Sequence, residues 1–375
     1  MKKIRAVAWK EVRQVSRDPL SLLLLIGLPA FMLVLYGFAL NFDVRHVPLA
    51  VQDRDKTAAS RDLVSTFVNS TYFDLAASPA PGDDLERLME TRRARAVLVI
   101  PEGYGADLAA GRTVPVQLLL DGADANTATT VLGYAGALVA DANADAIRRT
   151  VLRASGRDVP AGIEYRPRVW FNPELSSTRF LVPGLMGVLL MLTAVLATAL
   201  SVVREKERGT MEQLRVAPLR TAELIIGKTL PYLAISLLAS VLILVAARVL
   251  FGVEVKGPYL ALFAATLVYL IGALGLGILI STLADSQAIA FQGGLLVSLL
   301  PAVLLSGFIF QIRAMPPALQ LVTYLVPARY YLVILRGVIL KGSGLGPYWD
   351  QMAYLGLFAL ATLALASLLL VKREA

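Results

Sequence analysis

The chain has 375 residues, 57% of them hydrophobic and only 17% charged, with a formal net charge of +8. An ordinary soluble domain is excluded by that balance, since such domains run at about 45–50% apolar and about 25% charged residues. With no Cys and a single His, His46, disulfides are excluded and a catalytic metal centre of the usual type is disfavoured.

The apolar excess is gathered into runs. Stretches free of Asp, Glu, Lys, Arg and His cover 19–42, 180–203, 229–247, 257–284, 286–312 and 351–371. Their lengths are 24, 24, 19, 28, 27 and 21 residues. A helix needs about 20 apolar residues to cross the hydrocarbon layer. Six spans are therefore expected, and buried helices of a soluble protein are the weaker alternative.

In chain order, residues 1–18 ("MKKIRAVAWKEVRQVSRD") place Ile4, Val7, Ala8, Val12 and Val15 on one helical face and basic residues on the other. This predicts an amphipathic helix in the cytoplasmic interface, with Trp9 at headgroup level. Residues 19–42 form the first span. Their apolar part is too long for a signal peptide, Pro29 interrupts it, and no A-x-A site follows, so a retained anchor is expected.

Residues 43–178 read as a small α/β domain. Strand patterns "VPLAVQD", "FDLAAS", "RAVLVIP" and "VPVQLLLDG" alternate with helical patterns "AASRDLVSTFVNS", "PGDDLERLMETRRA" and "GYGADLAAG", followed by one long helix from Asp124. The paired carboxylates Asp53/Asp55 and Asp83/Asp84 read as solvated turns rather than acid–base machinery.

Span two is expected over 180–203, a charged loop over 204–228, span three over 229–251, span four over 257–283 and span five over 286–310. Residues 311–350 hold apolar pieces too short and too charged to cross, so they suit an interfacial or re-entrant segment. Span six covers 351–371. Gly272, Gly275, Gly277, Gly293 and Gly294 would let helices approach closely, and Pro183 and Pro301 would kink theirs.

Charge orients this array. Residues 41–178 hold 15 basic and 18 acidic side chains; the rest of the chain holds 21 basic and 10 acidic. Of those 21, six lie in residues 1–19, six in 204–228 and two at 372–373. Alternating spans put these segments on one side, and basic flanks stay cytoplasmic. Both termini are thus expected inside and the α/β domain in the periplasm. The basic excess reports orientation, and no basic stripe interleaved with aromatics points to nucleic acid.

The loop 204–228, "REKERGTMEQLRVAPLRTAELIIGK", runs into Thr229 and so ends in Gly-Lys-Thr, the tail of a phosphate-binding loop. The leading Gly of that motif would fall at Ala222, and no strand or Gly-rich turn precedes it. Lys228 instead marks where span three enters the membrane. Upstream, Arg204 to Arg208 continue span two and Gly209 breaks it. Thr210 and Gln213 stand at capping-box spacing and predict a short helix from Met211 to Ala217, stopped by Pro218. Thr221 is expected to cap the helix into span three. The loop reads either as a solvated turn or as a docking surface.

"REKERGTMEQLRVAPLRTAELIIGKTLPY" resembles the signature of the membrane subunit of ABC-2 type exporters. "VWFNPELSSTRFLVPGLMG" resembles the approach to span two in those permeases, and "PARYYLVILRGVILKGSGL" the segment before their last span. "AVQDRDKTAASRDLV" is similar to members with a large external domain. Val333 departs from the acidic residue expected at its position in many relatives. The resemblance implies a bacterial inner-membrane permease without its own ATPase site. It implies a separate cytoplasmic ABC ATPase that binds ATP and Mg, and a second permease chain. It makes the N-terminus the elbow helix and the 204–228 segment the coupling element. Glu205, Glu207, Arg208, Gly209, Thr210, Glu212 and Gln213 would form the ATPase contact. A periplasmic adaptor is a further partner that an efflux assembly would require. Drugs, lipids and glycans all fit as cargo, with lipophilic drugs favoured.

Two other classes fit less well. A membrane sensor with 41–178 as ligand domain needs a cytoplasmic output module, whereas the longest inside segment is 204–228. A secondary transporter is disfavoured by span middles without ionisable residues and by the lack of internal repeats.

Overall fold

The computed structural model describes residues 2–39, 44–155, 170–172, 176–210 and 220–374. They fall into two compact units, one drawn from Met1–Asn41 and Val169–Ala375, the other from Phe42–Arg168.

The first unit is helical and begins with α1 (Lys2–Ser16), which buries Val7, Glu11 and Val15 on one face. A single turn, α2 (Pro19–Leu22), leads through a widened π-turn at Leu23–Gly27 into α3 (Leu28–Ala39). In the first apolar run the backbone is therefore helical from Pro19 to Ala39, with Leu25–Ala39 as a shorter apolar helix among the described residues.

The second unit carries β1 (Val47–Asp53), α4 (Ala58–Val68), β2 (Phe73–Ala77), α5 (Leu85–Glu90), β3 (Ala96–Ile100), α6 (Tyr104–Ala109), β4 (Gln117–Leu120) and α7 (Ala125–Ser155). The sheet order is β2-β1-β3-β4. β1 runs parallel to β2 and β3, while β4 is antiparallel to β3. β3 is buried along its whole length because both faces are covered. Ala96, Leu98 and Ile100 join Leu63, Phe67 and Val131 in one core; Val97 and Val99 pack with Leu85 and Leu88 in another. The paired carboxylates are indeed turn-formers. Asp84 caps α5 by accepting from the Arg87 amide at 3.0 Å, and Asp83 accepts from the Ala80 amide at 2.7 Å. Asp53 accepts from the amides of Asp55 and Lys56 at 3.0 and 2.9 Å. Asp55 accepts from the Thr57 hydroxyl and from the Gly105 amide at 2.9 Å, tying the start of α4 to α6.

The first unit resumes with α8 (Ser177–Glu207), α9 (Thr221–Phe251), α10 (Tyr259–Leu283) and α11 (Gln287–Gly294). A π-turn at Leu295–Leu299 carries α11 into α12 (Leu300–Leu304). Then come α13 (Pro317–Val322), α14 (Pro327–Lys341) and α15 (Trp349–Glu374). The helix of the fifth apolar run stops near Leu304, before the predicted end at 310, and Gly307 turns the chain with φ +80°.

Among the described residues five helices are long and apolar enough to cross a membrane, within Ser177–Glu207, Ala222–Phe251, Tyr259–Leu283, Gln287–Leu304 and Gly346–Leu370. A sixth crossing arises only if Pro317–Leu325 and Pro327–Lys341, which meet at 82°, count as one span. The bend has a local cause. Thr323–Leu325 tighten to a 3-10 turn, and Val326 is extended at φ −94° and ψ 109° because Pro327 follows it.

α8 is the central helix of this unit and packs against α3, α9, α10, α11 and α14. Its closest approach is to α10. A Cβ on Gly277 would lie 2.0 Å from the Thr198 hydroxyl, so only glycine permits that crossing. Further along, Tyr269 and Tyr331 stack with centroids 4.1 Å apart. The Tyr269 hydroxyl donates to the Gly187 carbonyl at 2.8 Å.

Candidate functional site

The last turn of α8 carries four consecutive charged residues, Arg204, Glu205, Lys206 and Glu207, and each engages groups on other segments. The helix runs to Glu207, with Arg208 as its cap and Gly209 in the left-handed region at φ +69°, the break expected from the sequence.

Glu205 is 2% exposed. Its carboxylate pairs with Lys10 of α1 and Lys228 of α9. Lys228, itself 3% exposed, also reaches Glu11 of α1 at 3.1 Å. Glu11 is fully buried and accepts from the Ser201 hydroxyl at 3.1 Å and the Tyr232 hydroxyl at 3.2 Å. Two carboxylates and the Lys228 ammonium are thus buried together, and Lys10 pairs with Glu205 from the exposed rim. Unpaired, each buried charge costs several kcal/mol, so every member depends on the others.

The neighbours on either side pin the same turn. Arg204 pairs with Asp18 and donates from Nε to Gln287 at 3.3 Å. Lys206 donates to the carbonyls of Ser281 and Ala284, where a cation satisfies acceptors left over at the C-terminus of α10. Glu207 accepts from the Gln287 backbone amide at 2.7 Å and from its side chain, placing an anion at the N-terminus of α11. The end of α8 therefore joins α1, α9, α10 and α11.

The Gly-Lys-Thr sequence is part of this hub. It lies inside α9, not in a loop. A Cβ on Gly227 would sit 2.7 Å from the Val7 Cβ, so the glycine lets α1 lie directly on α9. Lys228 neutralises the carboxylates, and Thr229 donates to the Ile225 carbonyl at 2.7 Å. No phosphate cradle exists there. The start of α9 is capped one residue earlier than expected. Arg220 is the cap, and its amide donates to Glu223 at 3.0 Å.

Among the expected contact residues, Glu207, Arg208 and Gly209 are exposed, and Thr210 is half-buried with its hydroxyl donating to the Glu205 carbonyl at 3.3 Å. Glu205 is turned inward, so a docked protein would meet it only if its ion pairs opened. Glu212, Gln213 and the predicted Met211–Ala217 helix lie outside the described residues. Sequence reasoning missed Lys10, Glu11 and Gln287. Glu11 had a signal: it stands four residues from both Val7 and Val15, an acid on the apolar face of an amphipathic helix.

Comparison with known proteins places this hub in a family. The profile described as ABC-2 family transporter protein matches residues 20–368. The chain is 33% identical over 343 residues to the probable multidrug ABC transporter permease YbhS of Escherichia coli strain K12, covering 91% of this chain and 89% of that one. It is 30% identical over 344 residues to the probable multidrug ABC transporter permease YbhR of the same strain, covering 92% and 91%. It is 22% identical over 363 residues to the linearmycin resistance permease protein LnrN of Bacillus subtilis strain 168, covering 92% of each. With a family match over nearly its whole length and permease relatives at 30–33% identity, the chain belongs to the ABC-2 family of transporter proteins as one of its permeases.

Proposed function

We propose that this permease is the membrane-spanning half of an ATP-driven exporter in a bacterial inner membrane, with both termini cytoplasmic. It would work with a separate ABC ATPase that binds ATP and Mg, and with a second permease chain, either a copy of itself or a paralogue. The observation that carries the reading is the hub at the end of α8, where one exposed charged turn is fixed to four other helices. A force applied at Glu207 and Arg208 is passed on by ion pairs and packed helices rather than lost in a loose loop. Coupling requires an element of that kind, one that moves between discrete positions. ATP binding would draw the two ATPases together, displace this turn, and tilt α1, α9, α10 and α11 with it.

Lipophilic drugs are the favoured cargo, because relatives bear multidrug and antibiotic-resistance permease names. The 44–155 domain would lie in the periplasm and meet an adaptor protein there.

Expression with a candidate partner ABC ATPase tests the core of the proposal. The two subunits are expected to co-purify in detergent, with crosslinks from cysteines placed at Arg208 and Gly209 into the ATPase. Purification as separate subunits, with no crosslink from either position, would overturn it.

A further inference from the structure

The span middles avoid ionisable side chains, yet α14 carries two guanidinium groups. Arg329 and Arg336 lie seven residues apart, two turns along one helical face, with the exposed Val333 between them. Both are half-buried. Each is held in place without being neutralised. The Arg336 guanidinium lies 3.8 Å from the ring centre of Phe180 and donates to the carbonyls of Gly307 at 3.0 Å and Phe308 at 3.3 Å. Its Nε is enclosed and has no acceptor. Arg329 lies 3.9 Å from the ring centre of Tyr324 and donates to the Thr323 hydroxyl. Among the described residues, neither guanidinium forms an ion pair with a carboxylate.

The packing here is deliberate. A Cβ on Gly184 would lie 2.2 Å from the Phe308 ring and 3.3 Å from Arg336 Nη2, so glycine is needed to seat both. Phe180 is in the first turn of α8 and Glu205 in the last, 25 residues on, or roughly 38 Å at 1.5 Å per residue. The cation pair thus belongs to the opposite end of the bundle from the coupling hub.

Ring faces and carbonyl oxygens offset part of the cost of desolvating a cation, but among the described residues no carboxylate supplies a full counter-charge. Ionisable side chains within an apolar bundle are rare and mark functional sites by default. A guanidinium fork matches the oxygens of a phosphate or carboxylate, and two on one helical face offer such a group two anchors. We propose that Arg329 and Arg336 bind the anionic head group of an exported amphiphile, with the apolar tail lying along the exposed face at Val333. The word "exported" rests on the function proposed above; the binding itself does not.

The test uses the full-length protein in a neutral detergent, offered equal amounts of phosphatidylglycerol and phosphatidylcholine with the same acyl chains, and read by native mass spectrometry. The protein is expected to retain phosphatidylglycerol about tenfold better, the discrimination of roughly one extra charge-assisted pairing. Arg336→Gln is expected to abolish the preference and Arg329→Gln to reduce it. Val333→Glu leaves both guanidinium groups in place but adds a carboxylate at i,i+3 spacing to Arg336, and is expected to abolish the preference by supplying the missing counter-charge. Arg248→Gln, which removes an exposed cation already paired with Glu254 at 3.5 Å, is expected to change nothing. Dodecyl phosphate, but not dodecyl phosphocholine, is expected to displace the bound lipid, as a cargo site requires. No preference in the unmodified protein, or a preference surviving Val333→Glu, overturns the proposal. So does a lipid that dodecyl phosphate cannot displace, since that would be a fixed annular lipid. The measurement needs no ATPase, so its failure and a failure of subunit co-purification are separate results.

Discussion

Glu11 and Lys228 are 217 residues apart in sequence, yet their charged atoms meet at 3.1 Å inside the protein, both almost wholly shielded from solvent. Their pairing makes the N-terminal helix part of the bundle rather than a raft on its surface. Glu205 completes the arrangement from α8, so one lysine serves carboxylates from two helices.

Removing that lysine is expected to be severe. Lys228→Met leaves Glu11 and Glu205 facing each other with only Lys10 nearby, and breaking a buried pair in this way costs about 3–5 kcal/mol. Thermal unfolding in detergent should show a large loss of stability. The triple variant Lys228→Met, Glu11→Gln, Glu205→Gln should recover much of it, because no uncompensated charge remains. An unchanged melting temperature in Lys228→Met would refute the ion cluster.

Gly227→Ala is expected to destabilise by about 1–3 kcal/mol, the usual cost of overpacking, despite alanine's better helix propensity. The new Cβ would meet Val7 at 2.7 Å. Val7→Ala in the same chain should relieve it. If the double variant is no more stable than Gly227→Ala alone, α1 does not lie on α9 as described.

Glu207 has two jobs that substitution can separate. Glu207→Gln keeps a hydrogen-bond acceptor for Gln287 but drops the charge; Glu207→Lys loses both. Charge reversal at Glu207, or at Glu212, is expected to lower the yield of permease–ATPase complex several-fold or to slow ATP-coupled transport. Complex yield and transport both at the unmodified level in the two reversals would rule out this turn as the docking site.

In the 44–155 domain the hydrogen bond from Thr57, assisted by the Gly105 amide, holds the Asp55 carboxyl below the usual carboxylate range. A depressed folded-state value means that Asp55 supports folding at pH above its unfolded value of 3.8. That support fades as pH falls through the lower, folded value. Asp55→Asn should therefore flatten the acid limb of the domain's unfolding curve, followed by limited proteolysis of the full chain between neutral pH and pH 2. An identical acid limb in both proteins would show that Asp55 is not linked to folding.

Much of the architecture was legible in the sequence because it is written in local patterns. The strand from Val47 to Asp53 alternates and ends at an Asp-rich turn, and the observed strand has those same ends. The run of charges after Val203 followed by Gly209 announced a helix continuing to Glu207 and stopping there. Charge-free length identified five of the helices able to cross a membrane. It does not report the π-turn at Leu23–Gly27 inside the helical stretch of the first run. It read 311–350 as an interfacial or re-entrant segment; there the bend at Val326 sets two helices at 82°, the geometry of a broken span or a re-entrant loop.

The candidate site divides along the same line. The sequence by itself determined that residues 204–228 form a charged element between two apolar helices, and that its Gly-Lys-Thr lacks the glycine a phosphate loop needs. Those are facts of residue type and spacing. Only the tertiary structure decided that Glu205 turns inward and Glu207 outward, and that the lysine of the false phosphate loop is the counter-ion of an acid in the first helical turns of the chain. A helix of 3.6 residues per turn turns about 100° per residue, so Glu205 and Glu207, two residues apart, face nearly opposite sides. Which one is buried depends on what packs against each face, and the partners Lys10, Glu11 and Lys228 come from segments that no local pattern connects.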